Sequence, residues 1–208
     1  MTTISILRRA NKSFVKATLI EGMQPADLHL VEREWTPHRP RLMQLLLNAK
    51  VPRSEWPQSL PWDWSRKAPQ LQLLESACFG IVFEKRWQGL MMTKTAAHVS
   101  RLPSDLGKPL VYIDFLETAP WNWPIPALNV VGELGGIGPA LFLQAVRQSD
   151  EEGFHGRVGL HALPQAEPFY ERACGMTPLG RDQRKENLVY FELSRPQAEE
   201  ILQNGGKP

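Results

Sequence analysis

Hydrophobic positions along this chain repeat with two different periods, and the switches between them mark out its elements. Ile4, Ile6 and Leu7, then Phe14, Val15, Leu19 and Ile20, suit one or two opening strands. From Pro25 the spacing becomes helical, with Leu28, Val31 and Trp35 three and four residues apart. Pro37 and Pro40 then interrupt, and a short apolar helix resumes over Leu42 to Leu47. Residues 51 to 71 carry proline at 52, 57, 61 and 69, which excludes a long regular element and predicts a loop anchored by Trp56, Trp62 and Trp64. Two apolar runs, 77 to 83 and 89 to 93, flank the polar residues 84 to 88 and predict a hairpin, with Phe79, Ile81 and Phe83 on one face and Cys78 and Val82 on the other. The strongest strand signal is residues 108 to 121, where Val111, Ile113 and Phe115 alternate with Tyr112, Asp114 and Leu116.

Beyond that strand the chain is organised around Gly132 to Val146. Four glycines in seven residues form a turn that side chains would block, and Leu141, Phe142, Ala145 and Val146 follow at helical spacing. This is a glycine loop opening a helix. Ser149 to Gly153 reads as its solvated end, 156 to 163 as a strand, 165 to 176 as a short helix, and 188 to 194 as a last strand before a polar tail.

Composition narrows the class without naming a chemistry. A chain of 208 residues with 42% hydrophobic and 22% charged residues fits one globular domain, expected over 1–200 with a flexible tail at 201–208. No apolar run reaches the roughly 20 residues needed to cross a membrane, and the N-terminus carries no secretory pattern, so a cytoplasmic protein without a membrane partner is expected. Cys78 and Cys174 are far apart and lack a partner motif, which predicts reduced thiols and no metal site. A net charge of +2 does not announce nucleic-acid binding, and the basic clusters Arg8-Arg9, Arg39 to Arg41 and Arg184-Lys185 are read as solvated surface.

A glycine loop ahead of a helix directs backbone N–H groups and the positive end of the helix dipole at its ligand, which favours phosphate. No Lys-Ser or Lys-Thr follows the last glycine, and Leu141 stands where a dinucleotide fingerprint wants its third small residue, so both common nucleotide motifs fail. Glu133-Leu134-Gly135-Gly136-Ile137-Gly138 instead resembles the pyrophosphate loop of the GNAT acetyltransferase superfamily, Gln/Arg-x-x-Gly-x-Gly/Ala. Support comes from separate places. The hairpin from Cys78 is similar to the family's second and third strands, Leu110 to Pro120 to its fourth, and Phe169-Tyr170-Glu171-Arg172 with Gly175-Met176 to its Leu/Phe-Tyr-Glu-Lys…Gly-Phe. The resemblance covers about residues 77 to 194. It departs at Glu133, at Pro139, which removes one N–H from the loop, in an insertion over 121 to 132, and in one extra residue between Tyr170 and Gly175.

This resemblance implies a single GNAT-like α/β (α+β) domain with a central mixed, mostly antiparallel sheet flanked by helices. It implies acetyl transfer from acetyl-CoA to an amine. Leu116, Glu117 and Thr118 would meet the pantetheine arm, with an N–H near Thr118 polarising the thioester carbonyl. Glu133, Leu134, Gly135, Gly136, Ile137, Gly138, Pro139, Ala140 and Arg172 would hold the coenzyme, and Tyr170 would protonate the departing thiolate. An acidic residue within an apolar strand must be satisfied or used, which makes Asp114 and Glu117 candidates for the base, beside His161 and a water-mediated route; Asp114 is favoured over Glu117. His161 and His98 are read as structural. Trp62 and Trp64 are read as pinning the proline-rich loop to the domain; the functional alternative is that this loop walls the acceptor pocket and presents Trp64, Asp63 and Lys67 to the substrate. Two other functions stay open: a non-catalytic acyl-CoA-binding or regulatory module, and a toxin-like acetyltransferase acting on charged transfer RNA. The acceptor, a small-molecule or protein amine, and the oligomeric state, a homodimer among the options, are not set by the sequence.

Overall fold

A computed structural model describes residues 1–204. Its strands form one mixed sheet in the order β6-β1-β2-β3-β4-β5-β7-β9-β8. In chain order these are β1 (Thr2–Arg8), β2 (Ser13–Glu21), β3 (Ser76–Phe83), β4 (Arg86–Lys94), β5 (Val111–Thr118), β6 (Leu134–Gly135), β7 (Val158–Ala162), β8 (Thr177–Asp182) and β9 (Leu188–Leu193). β5 and β7 pair in parallel, Val111 opposite Val158 and Ile113 opposite Leu160; β1 with β2 and β6, β2 with β3, and β9 with β7 and β8 run antiparallel. The mixed, mostly antiparallel sheet matches expectation. The helices are α1 (Pro25–Trp35), α2 (His38–Asn48), α3 (Ile137–Glu151) and α4 (Arg195–Gln203). The chain divides into two compact units, Met1–Leu90 with Leu116–Gly138, and Met91–Phe115 with the chain from Pro139 on.

In the first unit, α1 starts on a capping box between Gln24 and Asp27 and buries Leu28, Val31 and Trp35, the residues whose spacing predicted it. Pro40 does not interrupt α2. It lies in the first turn, where a missing N–H costs nothing, so α2 opens at His38. The β3–β4 turn is tighter than the five polar residues suggested. Glu84 and Lys85 both take positive φ, 50° and 61°, so the strand resumes at Arg86. The proline-rich segment contains two 3₁₀ turns, Arg53–Glu55 and Ser65–Gln72. Its Trp56 packs with Leu42, Leu46, Trp123 and Ile125, so the segment is pinned into a core shared with the 121–132 insertion.

In the second unit, β7 lies between β5 and β9 and is buried along most of its length, Val158, Leu160 and Ala162 included, and α3 buries Leu141, Phe142, Ala145 and Val146. The end of α3 is not wholly solvated: Ser149 is buried and its Oγ donates to the carbonyl of Arg157 at 2.7 Å. Two elements were not anticipated, β8 and α4. The latter opens on a capping box between Ser194 and Gln197, and it takes up Ile201, Leu202 and Gln203 of the expected tail. Asn204 caps the helix, and residues 205–208 lie outside the described residues. No helix among the described residues is long and apolar enough to cross a membrane.

Candidate functional site

The glycine corner is built from backbone outward. Gly132 takes φ +78°, and a Cβ there would stand 2.4 Å from the Asn122 carbonyl oxygen, so the insertion can return on itself only through glycine. Glu133 N–H donates to the Trp121 carbonyl (3.0 Å) and Leu134 N–H to Oδ1 of Asn122 (3.0 Å). Asn122 is itself fixed, its Nδ2 donating to the carbonyl and Oε1 of Gln88 at 3.2 and 3.0 Å. Leu134 and Gly135 then pair with Arg8 and Leu7 of β1, Gly136 turns at φ +82°, and α3 begins at Ile137. Gly138 and Pro139 therefore stand in the first helical turn, where amides have no partner four residues back. Ile137 is buried, Pro139 exposed, and Gly138 and Ala140 half-buried.

The negative charge at Glu133 is directed away from the corner. Its Oε2 pairs with Nη1 of Arg86 at 3.1 Å, and the Arg86 guanidinium lies 4.0 Å from the Trp121 ring centroid. On the other side, Arg9 donates its backbone N–H to the Glu133 carbonyl (3.1 Å) and Nε to the Leu134 carbonyl (3.2 Å). A Cβ at Gly135 would meet the Arg9 guanidinium at 3.2 Å. Arg8, Arg9, Arg86, Glu84, Glu133 and Leu134 contribute to the walls of a cavity of about 460 Å³.

Glu117 occupies a buried ionic network. Trp64, wholly buried, donates its backbone N–H to Oε2 of Glu32 at 2.8 Å and its indole N–H to Oε2 of Glu117 at 2.5 Å. Arg39 pairs with Glu32 and sits 3.8 Å from Glu117. Burial pushes the Glu117 carboxyl up to about 7, against the lowering pull of Arg39 and of hydrogen bonds from Trp64 and Ser59. Trp64 thus faces Glu117 from the interior and pins the proline-rich loop. Arg39, read from sequence as solvated surface, is buried, since its partners Glu32 and Glu117 are interior carboxylates. Lys67 is half-buried, with its ammonium 5.0 Å from the Trp62 ring and 6.0 Å from that of Trp64. Thr118 and Leu116 are half-buried; the Thr118 carbonyl accepts the Trp123 indole N–H (2.8 Å), and the next N–H, of Ala119, donates to Gln88.

In the second unit Asp114 is half-buried and pairs with the Lys94 ammonium at 2.7 Å. Tyr170 is buried between Phe169 and Phe191, with ring centroids 5.0 and 6.3 Å away, and burial raises its pKa. Phe169–Ala173 forms a π-helical turn, with Cys174 N–H bonded to the Phe169 carbonyl five residues back at 3.1 Å. A π turn takes in one more residue than an α turn, which accommodates the extra residue before Gly175. Arg172 is exposed. His161 accepts or donates between the Tyr112 hydroxyl (2.7 Å at Nδ1) and Asp182 (3.3 Å at Nε2), and His98 stacks on Tyr112 at 4.0 Å. Burial lowers the pKa of both histidines.

No family model matches the sequence, and no curated protein matches it in sequence. Solved structures do match in fold. A Desulfovibrio desulfuricans protein placed in the GNAT acetyltransferase family aligns over 86% of this chain and 99% of its own, with 12% identity and a TM-score of 0.54. The fold is that of the GNAT acetyltransferases. The GNAT fold also relates the chain to the PaiA N-acetyltransferase of Thermoplasma acidophilum, solved with coenzyme A, at 14% identity over 86% and 98% of the two chains and a TM-score of 0.50. An uncharacterised Bacillus halodurans protein aligns over 99% and 96%, with 9% identity and a TM-score of 0.57.

Within this GNAT fold, sequence reasoning missed Arg9, the Gln88–Asn122 clasp and the Glu32–Arg39 pair. Arg9 is the most legible of these in retrospect, because a strand ending in Arg8-Arg9 puts two cations at one edge position. The other residues find partners 34 and 7 positions away, and nothing in their local sequence marks them.

Proposed function

We propose that this protein transfers an acetyl group from acetyl-CoA to an amine. The observation that carries the reading is the corner at Gly135-Gly136, where a two-residue strand turns at positive φ straight into a 15-residue helix in a chain with the GNAT fold. The residues present fit a phosphorylated coenzyme. Glu133 is neutralised by Arg86, Arg9 packs where a Cβ on Gly135 would intrude, and a cavity rich in arginine adjoins the corner. PaiA of the same fold was solved with coenzyme A, which supports the same ligand class here.

When bound, acetyl-CoA would supply the activated acyl group as a thioester. Glu133 to Gly138, with Pro139 and Ala140 completing the first turn, would hold its diphosphate through backbone amides and the helix dipole, and exposed Arg172 would add a cation. Leu116, Glu117 and Thr118 would line its arm. Tyr170 would keep a proton on its phenol at neutral pH, as an acid for a leaving thiolate must, and burial favours that neutral form. Asp114 would accept the amine proton: it is partly open, whereas Glu117 is enclosed by Trp64 and Arg39. The Lys94 pair has to loosen for that step. Lys67, beside Trp62, would meet the acceptor more readily than Trp64, whose ring is interior.

A binding-only module is the second reading, favoured by that same Asp114–Lys94 ion pair, which occupies the proposed base. Calorimetry with acetyl-CoA together with thiol release over an amine panel tests both. Binding with turnover supports the transferase, binding without release across the panel supports the module, and no binding overturns both.

A further inference from the structure

The cavity beside the corner is lined by three guanidinium groups and two carboxylates, and the ion pairs divide them unequally. Arg8 pairs with Glu84 and Arg86 with Glu133. Arg9 has no carboxylate within ion-pair distance among the described residues. It is nevertheless held in place from two sides, its main-chain N–H on the Glu133 carbonyl and its Nε on the Leu134 carbonyl. With Nε committed, the two Nη groups remain as a fork lying against Gly135, the residue whose lack of a side chain makes room for them. The neighbouring cations are also splinted: Arg8 rests 5.3 Å from the Phe83 ring centroid and Arg86 against Trp121. A cavity with one guanidinium not paired to a carboxylate suits a phosphate, which accepts two parallel N–H bonds from such a fork.

Resting on the coenzyme reading above, we infer that Arg9, a residue outside the glycine loop, binds a phosphate group of the coenzyme's nucleotide end in this cavity. It supplies from β1's end the side-chain N–H donors that Gln or Arg would supply at position 133. Position 133 itself carries a carboxylate, and that carboxylate is bound to Arg86.

Calorimetric titration of the wild-type protein, Arg9→Gln and Arg9→Lys with coenzyme A and with dephospho-coenzyme A, at two salt concentrations, tests this. Gln keeps an N–H for the Leu134 carbonyl and removes the charge; Lys keeps the charge as a single ammonium and removes the fork. The expected result is ~10-fold or greater weakening in Arg9→Gln with a shallower salt dependence, and a smaller weakening in Arg9→Lys, which keeps the charge and the salt dependence but loses the fork. Weakening confined to coenzyme A assigns the 3′-phosphate to Arg9, and equal weakening of both ligands assigns the diphosphate; either supports the inference. Wild-type binding unchanged in both variants, with melting temperatures showing all three folded, overturns it and leaves the coenzyme reading standing. A wild-type protein that binds neither ligand overturns that reading and this inference with it.

Discussion

The indole N–H of Trp64 points at the Oε2 of Glu117 across 2.5 Å, joining a proline-rich loop to the end of the core strand β5 through a residue that is 3% exposed. Burial raises this carboxyl from its ordinary 4.5 to about 7. Between those pH values the folded protein holds a proton that the unfolded chain has released, so stability falls as pH rises through the window and levels off above it. Glu117→Gln keeps an acceptor for Trp64 and removes the titration. From pH 4.5 to 8 the difference in unfolding free energy should move in the variant's favour by up to ~3 kcal/mol. Urea melts at four pH values measure this, and a difference that stays flat across the window counts against it.

Arg39 is the cation that makes two interior carboxylates tolerable. Arg39→Met leaves Glu32 and Glu117 facing each other's field without compensation and should cost ~3–5 kcal/mol at pH 8. Much of that cost is the stranded charge, so Arg39→Met combined with Glu117→Gln should be less destabilised than the sum of the single variants by at least ~1 kcal/mol. A double-mutant cycle by chemical denaturation checks it; strict additivity would mean that the 3.8 Å approach of Arg39 to Glu117 carries no energy.

How much of this was legible beforehand depends on the range of the interaction concerned. β5 and the start of α3 follow from local alternation, local spacing and glycine, and both were found where the pattern put them. β8 escaped because Thr177 to Asp182 does not alternate; a register shift between Pro178 and Arg181 breaks the period. α4 was legible and overlooked: Ser194 with Gln197 three residues later is a start signal, and Ala198 and Ile201 lie on its buried face. Long-range pairing could not be read. Glu117 meets Trp64 from 53 residues away, so a carboxylate in an apolar strand announces a partner without saying which.

The Asn122 clasp gives the corner its own stability. Removing its amide in Asn122→Ala leaves the buried Leu134 N–H without its acceptor and Gln88 without two of its bonds. The expected cost is ~2–4 kcal/mol. The loss should be local as well as global, so the Leu134 amide should exchange with solvent faster by a larger factor than the amides of α1. Hydrogen exchange read by mass spectrometry or NMR resolves this, and uniform acceleration would mean that the clasp stabilises the whole unit and not the corner.

Tyr170 offers the most discriminating test of the proposed chemistry, because its ring and its hydroxyl have separable duties. The ring packs between Phe169 and Phe191 inside the π turn, and Tyr170→Phe preserves that packing. Stability should therefore change by less than ~1 kcal/mol and coenzyme A affinity by less than ~3-fold. If the phenol delivers the proton to the leaving thiolate, turnover should fall by ~10²-fold or more, with the loss in kcat and little change in KM. A pre-steady-state thiol-release assay would place the defect in the transfer step. Unchanged kcat in a folded Tyr170→Phe protein would assign the phenol to the core and leave the proton to solvent.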